Sequence, residues 1–313
     1  MLLRSPHHRP LMSGERIKRL SPLFVAAAAL CWGLSGGIGG VLLAEQWSGL
    51  LLAFTRGAVG LVFVLVWWAL RPDRQGLACP RLWGWSALAG LGVAGNFSFY
   101  FISIGEGSVA VAATLMYCAP VYVYLVSFAL KLEQPSAAKW VAIVLVMLGI
   151  VLLTGIYDMG SSNVTILGVV TGLLAGLSYA LFIFAFKYAA PHGGPQTILS
   201  IAFAVLCLLL AWPAEVVQML AVVQSADWPL FLLLGVLGAG VSFILYLQGL
   251  HYTAPAVASV VAMLEPVTAS IFGVAVLEQS LAGLQWVGMG LILIAVTALS
   301  VYSRQQQKKR EGH

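Results

Sequence analysis

The sequence carries very little charge. Only 9% of its 313 residues are Asp, Glu, Lys or Arg, and 61% are apolar, whereas ordinary soluble domains have about 25% and about 45–50%. A water-soluble fold cannot bury so large an apolar fraction, so that class of protein is excluded. The bilayer takes the place of water as the solvent, and apolar segments become the unit of counting.

Clustered metal and redox ligands are also missing from the sequence. The four cysteines lie far apart without a CxxC pair, and no histidine falls near the centre of an apolar segment. Neither a disulfide framework nor a metal site is indicated. The GxxxxGK[ST] motif of ATP-driven proteins is absent as well. We therefore expect no metal, no cofactor and no enzymatic activity in this chain.

Ten apolar segments are each close to the length of a membrane crossing, which is about twenty residues. The net charge of +5 arises from basic residues in tails and short loops, so no nucleic acid partner is expected. The predicted spans cover 22–43, 50–70, 82–103, 108–130, 138–156, 165–187, 197–212, 228–249, 255–277 and 284–302.

The positions of Lys and Arg predict the orientation of these spans. With both termini in the cytoplasm, every Lys and Arg except Arg56 falls in a cytoplasmic tail or short loop, as the positive-inside rule requires. The tails are residues 1–21 and 303–313, and the first span is read as uncleaved. The sequence thus predicts a multi-pass protein of a bacterial inner membrane.

The two halves of the chain, 22–156 and 165–302, resemble each other. Aligned pairs are Gly92 and Gly238, Phe97 and Phe243, Tyr100 and Tyr246, Pro120 and Pro266, and Trp140 and Trp286. Because each half has five spans, an odd number, the second half enters the membrane in the opposite sense. The predicted fold is an all-α membrane protein with ten transmembrane helices in two inverted five-helix repeats, an arrangement typical of transporters.

The segment YLQGLHYTAPAVAS at 246–259, followed by Leu264-Glu265-Pro266 and Leu277-Glu278, resembles the drug/metabolite transporter superfamily, EamA type. The first half is a looser copy, with Cys118-Ala119-Pro120 in place of the usual Leu-x-Pro. The resemblance covers residues 22–302 and implies a ten-helix transporter of small molecules. Aromatic residues in the predicted interior make the chain similar to the YddG-type exporters of aromatic amino acids.

Four residues are candidates for proton binding or gating. Glu265 lies mid-span, where a carboxyl group either binds a proton or a substrate amine, or hydrogen-bonds to backbone freed by Pro266. Arg56 either snorkels to the interface or holds a substrate carboxylate or a gating carbonyl. Pro120 and Pro266 remove backbone donors at matched depth, which suits either hinges or static kinks.

Aromatic and amide side chains in several spans predict a solute cavity with stacking walls and a few fixed hydrogen bonds. The alternative for the aromatic residues is a lipid-facing or interfacial position, and for the polar residues it is helix packing. The candidates are Trp32, Asn96, Tyr100, Tyr117, Tyr179, Phe182, Ser242, Tyr246 and Gln248.

The leading functional hypothesis is a secondary transporter that works by alternating access and exports small amphipathic metabolites, in particular aromatic amino acids. Its partners are a small-molecule solute and the lipid bilayer, and a monomer suffices. An exporter of drugs or other metabolites coupled to protons through Glu265 is the alternative, and facilitated diffusion fits equally well. A membrane-embedded enzyme and a non-transporting sensor are weaker hypotheses, because the chain has neither a clustered reactive site nor a soluble domain.

Overall fold

The computed structural model describes residues 14–73, 75–107, 109–132, 134–158, 165–211 and 216–311. All regular structure in these ranges is helical. In a bilayer each backbone N–H and C=O group needs an internal partner, and a helix supplies it within a single segment. Most of the predicted N-terminal tail, residues 1–13, lies outside the described residues, as do residues 312 and 313 of the C-terminal tail.

Ten apolar helical spans are present in the described part of the chain, as predicted. Nine are long and apolar enough to cross a membrane, and the seventh is a shorter apolar helix. The spans are Leu20–Ala44, Gly49–Leu70, Pro80–Gly105, Val109–Ala129, Ala137–Thr154, Ile166–Ala189, Pro195–Leu210, Trp228–Tyr252, Pro255–Val276 and Gly283–Ser303. They are called spans 1 to 10 below. The first and last belong to the longer helices Gly14–Ala44 and Gly283–Glu311, which continue into the predicted tails.

Spans 4 and 9 are each broken into two half-helices, although the sequence predicts one helix in each place. Span 4 consists of Val109–Met116 and Ala119–Ala129, and span 9 of Pro255–Val261 and Leu264–Val276. Pro120 and Pro266 lie in the first turn of the second half-helices. Proline has no N–H group and is best tolerated in the first turn of a helix, which is the position that both prolines take where the spans restart.

The two repeats are interleaved. Span 1 packs against spans 8 and 9, and span 2 against spans 7 and 8; correspondingly, span 3 packs against spans 6 and 7, and span 6 against span 4. Spans 5 and 10 pair with each other. The core of the protein is therefore the interface between the repeats, which is where inverted-repeat transporters hold their substrates.

Contacts at the ends of the spans mark the two faces, and the five crossings between the starts of the repeats place those starts at opposite faces. Near the start of span 1, Ser21 meets Thr253, which follows span 8, at 3.0 Å between the hydroxyl oxygens. At the start of span 6, the Thr165 hydroxyl donates to the Glu106 carboxylate at the end of span 3, at 2.8 Å. We call the face with Ser21 and the chain ends the terminal face, and the other the opposite face.

Reporter fusions provide a direct test of this topology. A reporter inserted between residues 155 and 165, after span 5, and one attached after Ser303 are expected on opposite sides of the membrane. The reason is that five crossings separate them. Paired fusions with a reporter active only outside and one fluorescent only inside measure the side. Finding both positions on the same side would contradict the inverted arrangement.

Candidate functional site

A cavity of about 530 Å³ lies between the repeats, within the range of about 300–1,000 Å³ that small-molecule sites occupy. Spans 1, 2, 3, 4, 6, 8 and 9 form its wall. The cavity extends along the spans to Leu43, Ile104 and Leu277, near the opposite face, and ends at about mid-span beside Trp32 and Phe182. It therefore occupies the half of the protein nearer the opposite face.

Trp32 is the centre of an aromatic cluster at the inner end of the cavity. Its ring lies 5.0 Å from the ring of Tyr246, 5.2 Å from Phe243, and 6.5 Å from both Tyr179 and Phe182, measured between centroids. These distances suit the tilted and edge-to-face arrangements that aromatic pairs prefer. The indole Nε1 is buried and has no hydrogen-bond partner within the described chain. A ligand here meets an aromatic surface.

Arg56 reaches from span 2 to the backbone of span 8. Its Nε and Nη2 atoms donate to the carbonyl oxygen of Gly238 at 3.0 and 2.8 Å, and its guanidinium lies 4.7 Å above the ring of Phe97. Gly238 belongs to a π-helical turn, Val236–Val241, which departs from the α-helical hydrogen-bond pattern. The arginine thus holds an irregular segment of the other repeat while it lines the cavity.

Span 8 receives a second bond from the first repeat just before the π-helical turn, because the Ser35 hydroxyl donates to the carbonyl of Leu234 at 3.1 Å. A Cβ atom on Gly238 would collide with the side chains of both Ser35 and Arg56. Glycine at this position therefore leaves the space in which the two side chains reach the backbone. Together the bonds link spans 1 and 2 to span 8.

Glu265 lies on the cavity wall in the first turn of the second half of span 9. Its charge interacts with Arg56 and Tyr179. Within the described chain it nevertheless forms neither an ion pair with Arg56 nor a hydrogen bond of regular geometry with Tyr179, whose hydroxyl has no partner. A carboxyl and a guanidinium thus share one cavity without direct contact.

Polar and aromatic groups of spans 3 and 4 complete the wall. The buried Asn96 donates through Nδ2 to the carbonyl of Ala175 at 3.0 Å, so part of its amide is used to pack span 3 against span 6. Tyr100 and Tyr117 also line the cavity. Asn96 therefore serves helix packing and forms part of the wall at the same time.

Of the remaining predicted residues, only Pro266 belongs to the cavity wall. Pro120 is buried in span 4 and does not line the cavity. Ser242 and Tyr246 are fully buried behind the inner end of the cavity. Gln248 is exposed on the outside of span 8, away from the cavity.

Phe97 and Phe243 line the cavity but were not among the predicted site residues. The signal that marks them is the repeat itself, because the two phenylalanines align with each other between the halves. Gly33 and Gly37 also form part of the wall, at the place where span 1 packs closely against span 9. Ser270 of span 9 and Gln279 of the loop after it also line the cavity, and neither was among the predicted site residues.

Within the described residues, no group of three or more His, Cys, Asp or Glu side chains is arranged to hold a metal ion. The four cysteines are free thiols. The chemistry that the cavity offers is therefore stacking, hydrogen bonding and charge.

Comparison with known proteins assigns the family. The model of the EamA-like transporter family matches residues 19–155 and again residues 166–301. The chain belongs to the EamA-like transporter family. It is a multi-pass membrane transporter, and the two matches coincide with the two five-span halves.

Several relatives of this EamA protein are uncharacterized transporters by name. It is 24% identical over 297 residues to the uncharacterized transporter YwfM of Bacillus subtilis, covering 93% of this chain and 97% of that protein. It is 28% identical over 242 residues to protein PecM of Dickeya dadantii, covering 73% and 78%. A protein of known crystal structure has the same fold, with a TM-score of 0.73, 18% identity, and coverage of 91% and 98%.

Proposed function

We propose that this EamA transporter exports small amphipathic aromatic solutes, in particular aromatic amino acids, by alternating access. We place it in a bacterial inner membrane with both termini in the cytoplasm, which makes the terminal face cytoplasmic. The observation that supports an aromatic solute is the cluster around Trp32. A planar solute can stack there, and the unpaired indole N–H can donate to one of its polar groups.

Matched positions of the two repeats support alternating access, because they differ in environment. Tyr100 of span 3 lines the cavity, whereas its equivalent Tyr246 of span 8 is fully buried. The same holds for Asn96 and Ser242. In an inverted repeat, exchanging the conformations of the halves exchanges these environments. The present state is then open to the opposite face, and a second state exposes span 8 to the terminal face.

Unpaired hydroxyl groups in the closed half agree with this second state. The hydroxyls of Tyr246, Ser242, Ser86 and Ser200 are buried without a partner within the described chain. A buried unsatisfied hydroxyl costs about 1–3 kcal/mol. Water entering from the terminal face would satisfy these groups, so their cost in the present state favours the exchange between the two states.

A lysine lies where the terminal side is closed. Lys187 of span 6 donates through Nζ to the carbonyls of Leu250, His251 and Thr253 at 2.6, 2.9 and 2.9 Å. These groups form the C-terminal end of span 8, where a cation also interacts favourably with the helix dipole. Opening to the terminal face requires this end of span 8 to separate from span 6.

Counterflow in liposomes tests the proposed function. Purified protein is reconstituted with unlabelled phenylalanine, tyrosine or tryptophan inside, and the uptake of the labelled amino acid is measured. We expect uptake above that of protein-free liposomes, with a charged hydrophilic amino acid such as lysine as the negative control. No uptake of any of the three aromatic amino acids would refute the aromatic amino acid exporter.

Proton coupling through Glu265 is the second candidate, and the position of this carboxyl on the cavity wall favours it. Proton-coupled flux should change when a pH gradient is imposed. Glu265→Gln should abolish that response, because a side-chain amide neither takes up nor releases a proton in this pH range. Flux that ignores the gradient in the wild type, and persists in Glu265→Gln, would indicate facilitated diffusion instead.

A further inference from the structure

The cavity wall carries one basic and one acidic side chain. Among the described residues that line it, Arg56 and Glu265 are the only ones of the Asp, Glu, Lys and Arg types, and the rest are aromatic, aliphatic, small or uncharged polar. With both side chains ionised, the wall is neutral overall and carries two opposite charges at separate places. A ligand that carries a single charge can match only one of them.

Neither charge is satisfied by the other. They interact through space, but no direct ion pair joins them within the described chain. Arg56 uses two of its N–H groups on the Gly238 carbonyl, and a guanidinium has five. The arginine therefore keeps donors for a second acceptor, and the Glu265 carboxylate has open acceptor sites.

A charge held in a cavity of low polarity is costly unless a partner neutralises it. Hydrogen bonds to charged groups contribute about 1.5–3 kcal/mol each. A zwitterion supplies an anion for the arginine and a cation for the glutamate in one molecule, and it leaves the net charge of the cavity at zero. An amine alone would leave Arg56 without a counterion from the ligand, and a carboxylate alone would leave Glu265 without one.

We propose that Arg56 and Glu265 are the specificity-determining pair of a zwitterion site. The guanidinium of Arg56 binds the substrate carboxylate, the carboxylate of Glu265 binds the substrate ammonium group, and the ring packs against Trp32. This inference rests on the proposed aromatic solute and narrows it to molecules that carry both charges.

Direct binding to the detergent-purified full chain tests the pair with three indole probes. Tryptophan carries both charges, tryptamine only the ammonium group, and indole-3-propionate only the carboxylate. One lost charge-assisted contact corresponds to a loss of affinity of about tenfold or more. We expect wild-type protein to bind tryptophan at least about tenfold more tightly than either of the other two.

Two variants should each remove a different one of these two preferences for tryptophan. Glu265→Gln is expected to lose the preference for tryptophan over indole-3-propionate, because the ammonium group no longer finds a carboxylate. Arg56→Gln is expected to lose the preference for tryptophan over tryptamine. Glu45→Gln, at an exposed residue outside the cavity wall, is the matched control and should keep the wild-type order.

Affinity ratios within one variant separate specificity from folding, because a partly inactive preparation lowers the bound fraction of all probes together. Arg56 also holds the Gly238 carbonyl, so Arg56→Lys is added; it retains the charge and should retain the preference for tryptophan over tryptamine. Equal affinities of the wild type for tryptophan and tryptamine, or an unchanged order in both Gln variants, would overturn the zwitterion site. If either of these results is obtained while tryptophan still shows counterflow, the proposed exporter stands and only the zwitterion site is refuted. If the protein binds none of the three probes, both the zwitterion site and the proposed exporter are refuted.

Discussion

Replacement of Trp32 by alanine is expected to reduce counterflow of aromatic amino acids by at least about 30-fold. The ring lies at the inner end of the cavity and contacts four other aromatic rings. Truncation of a central aromatic anchor costs about 2 kcal/mol or more, which corresponds to that factor. The initial rate of labelled tryptophan uptake in liposomes is the measurement.

Two further variants separate the roles of the Trp32 ring and its N–H group. Trp32→Phe keeps an aromatic surface and removes the unpaired donor, so we expect an intermediate loss. Trp286→Ala is the control, because Trp286 is 53% exposed on span 10 and does not line the cavity. Wild-type rates in Trp32→Ala protein that elutes as a single folded species would remove Trp32 from the proposed site.

Replacement of Gly33 by alanine is expected to destabilise the protein by about 1–3 kcal/mol, the usual cost of overpacking. A Cβ atom at Gly33 would collide with Thr268 and would lie 2.6 Å from the carbonyl oxygen of Glu265. The obstacles belong largely to the backbone and the rigid first turn of a half-helix, so they cannot move aside cheaply. Spans 1 and 9 would be forced apart next to the cavity.

Gly40 provides the matched control on the same span, because a Cβ atom there would meet nothing within 4 Å. Thermal unfolding in detergent, followed by loss of the monodisperse peak after heating, compares the two alanine variants. We expect a fall in the midpoint of several degrees for Gly33→Ala and little change for Gly40→Ala. Equal midpoints would show that the close approach of spans 1 and 9 does not limit stability.

The sequence is sufficient to predict the repeat. A Gly-Leu-Ser segment occurs in span 1, at 33–35, and again in span 6, at 176–178. Both glycines are packing sites in the structure, since Gly33 approaches span 9 and Gly176 approaches the Leu115 and Met116 carbonyls of span 4. Small residues let the backbones of two membrane helices approach each other closely. Matched prolines likewise indicated irregularity in spans 4 and 9, although the full break required the structure.

The role of Arg56 could not be derived from its position in the sequence. Depth in the membrane left snorkelling, a substrate carboxylate and a gating carbonyl open as alternatives. The structure shows that two N–H groups of Arg56 donate to the carbonyl oxygen of Gly238. This contact depends on a π-helical turn and on the space that glycine leaves. Hydrophobic pattern does not encode a local change of helix type, so no reading of periodicity predicts this contact.

The sequence alone determined the number of spans, the all-helical fold and the repeat. The reason is that a bilayer requires each crossing segment to be apolar, of sufficient length and helical, and these properties can be read from the residues of that segment. Tertiary structure alone decided which member of the pairs Tyr100/Tyr246 and Asn96/Ser242 lines the cavity. Tyr100 and Tyr246 are equivalent in sequence, yet one lines the wall and the other is fully buried. The difference arises because the interface between the repeats is open toward only one face in this conformation. A repeated sequence cannot specify which of the two faces that is.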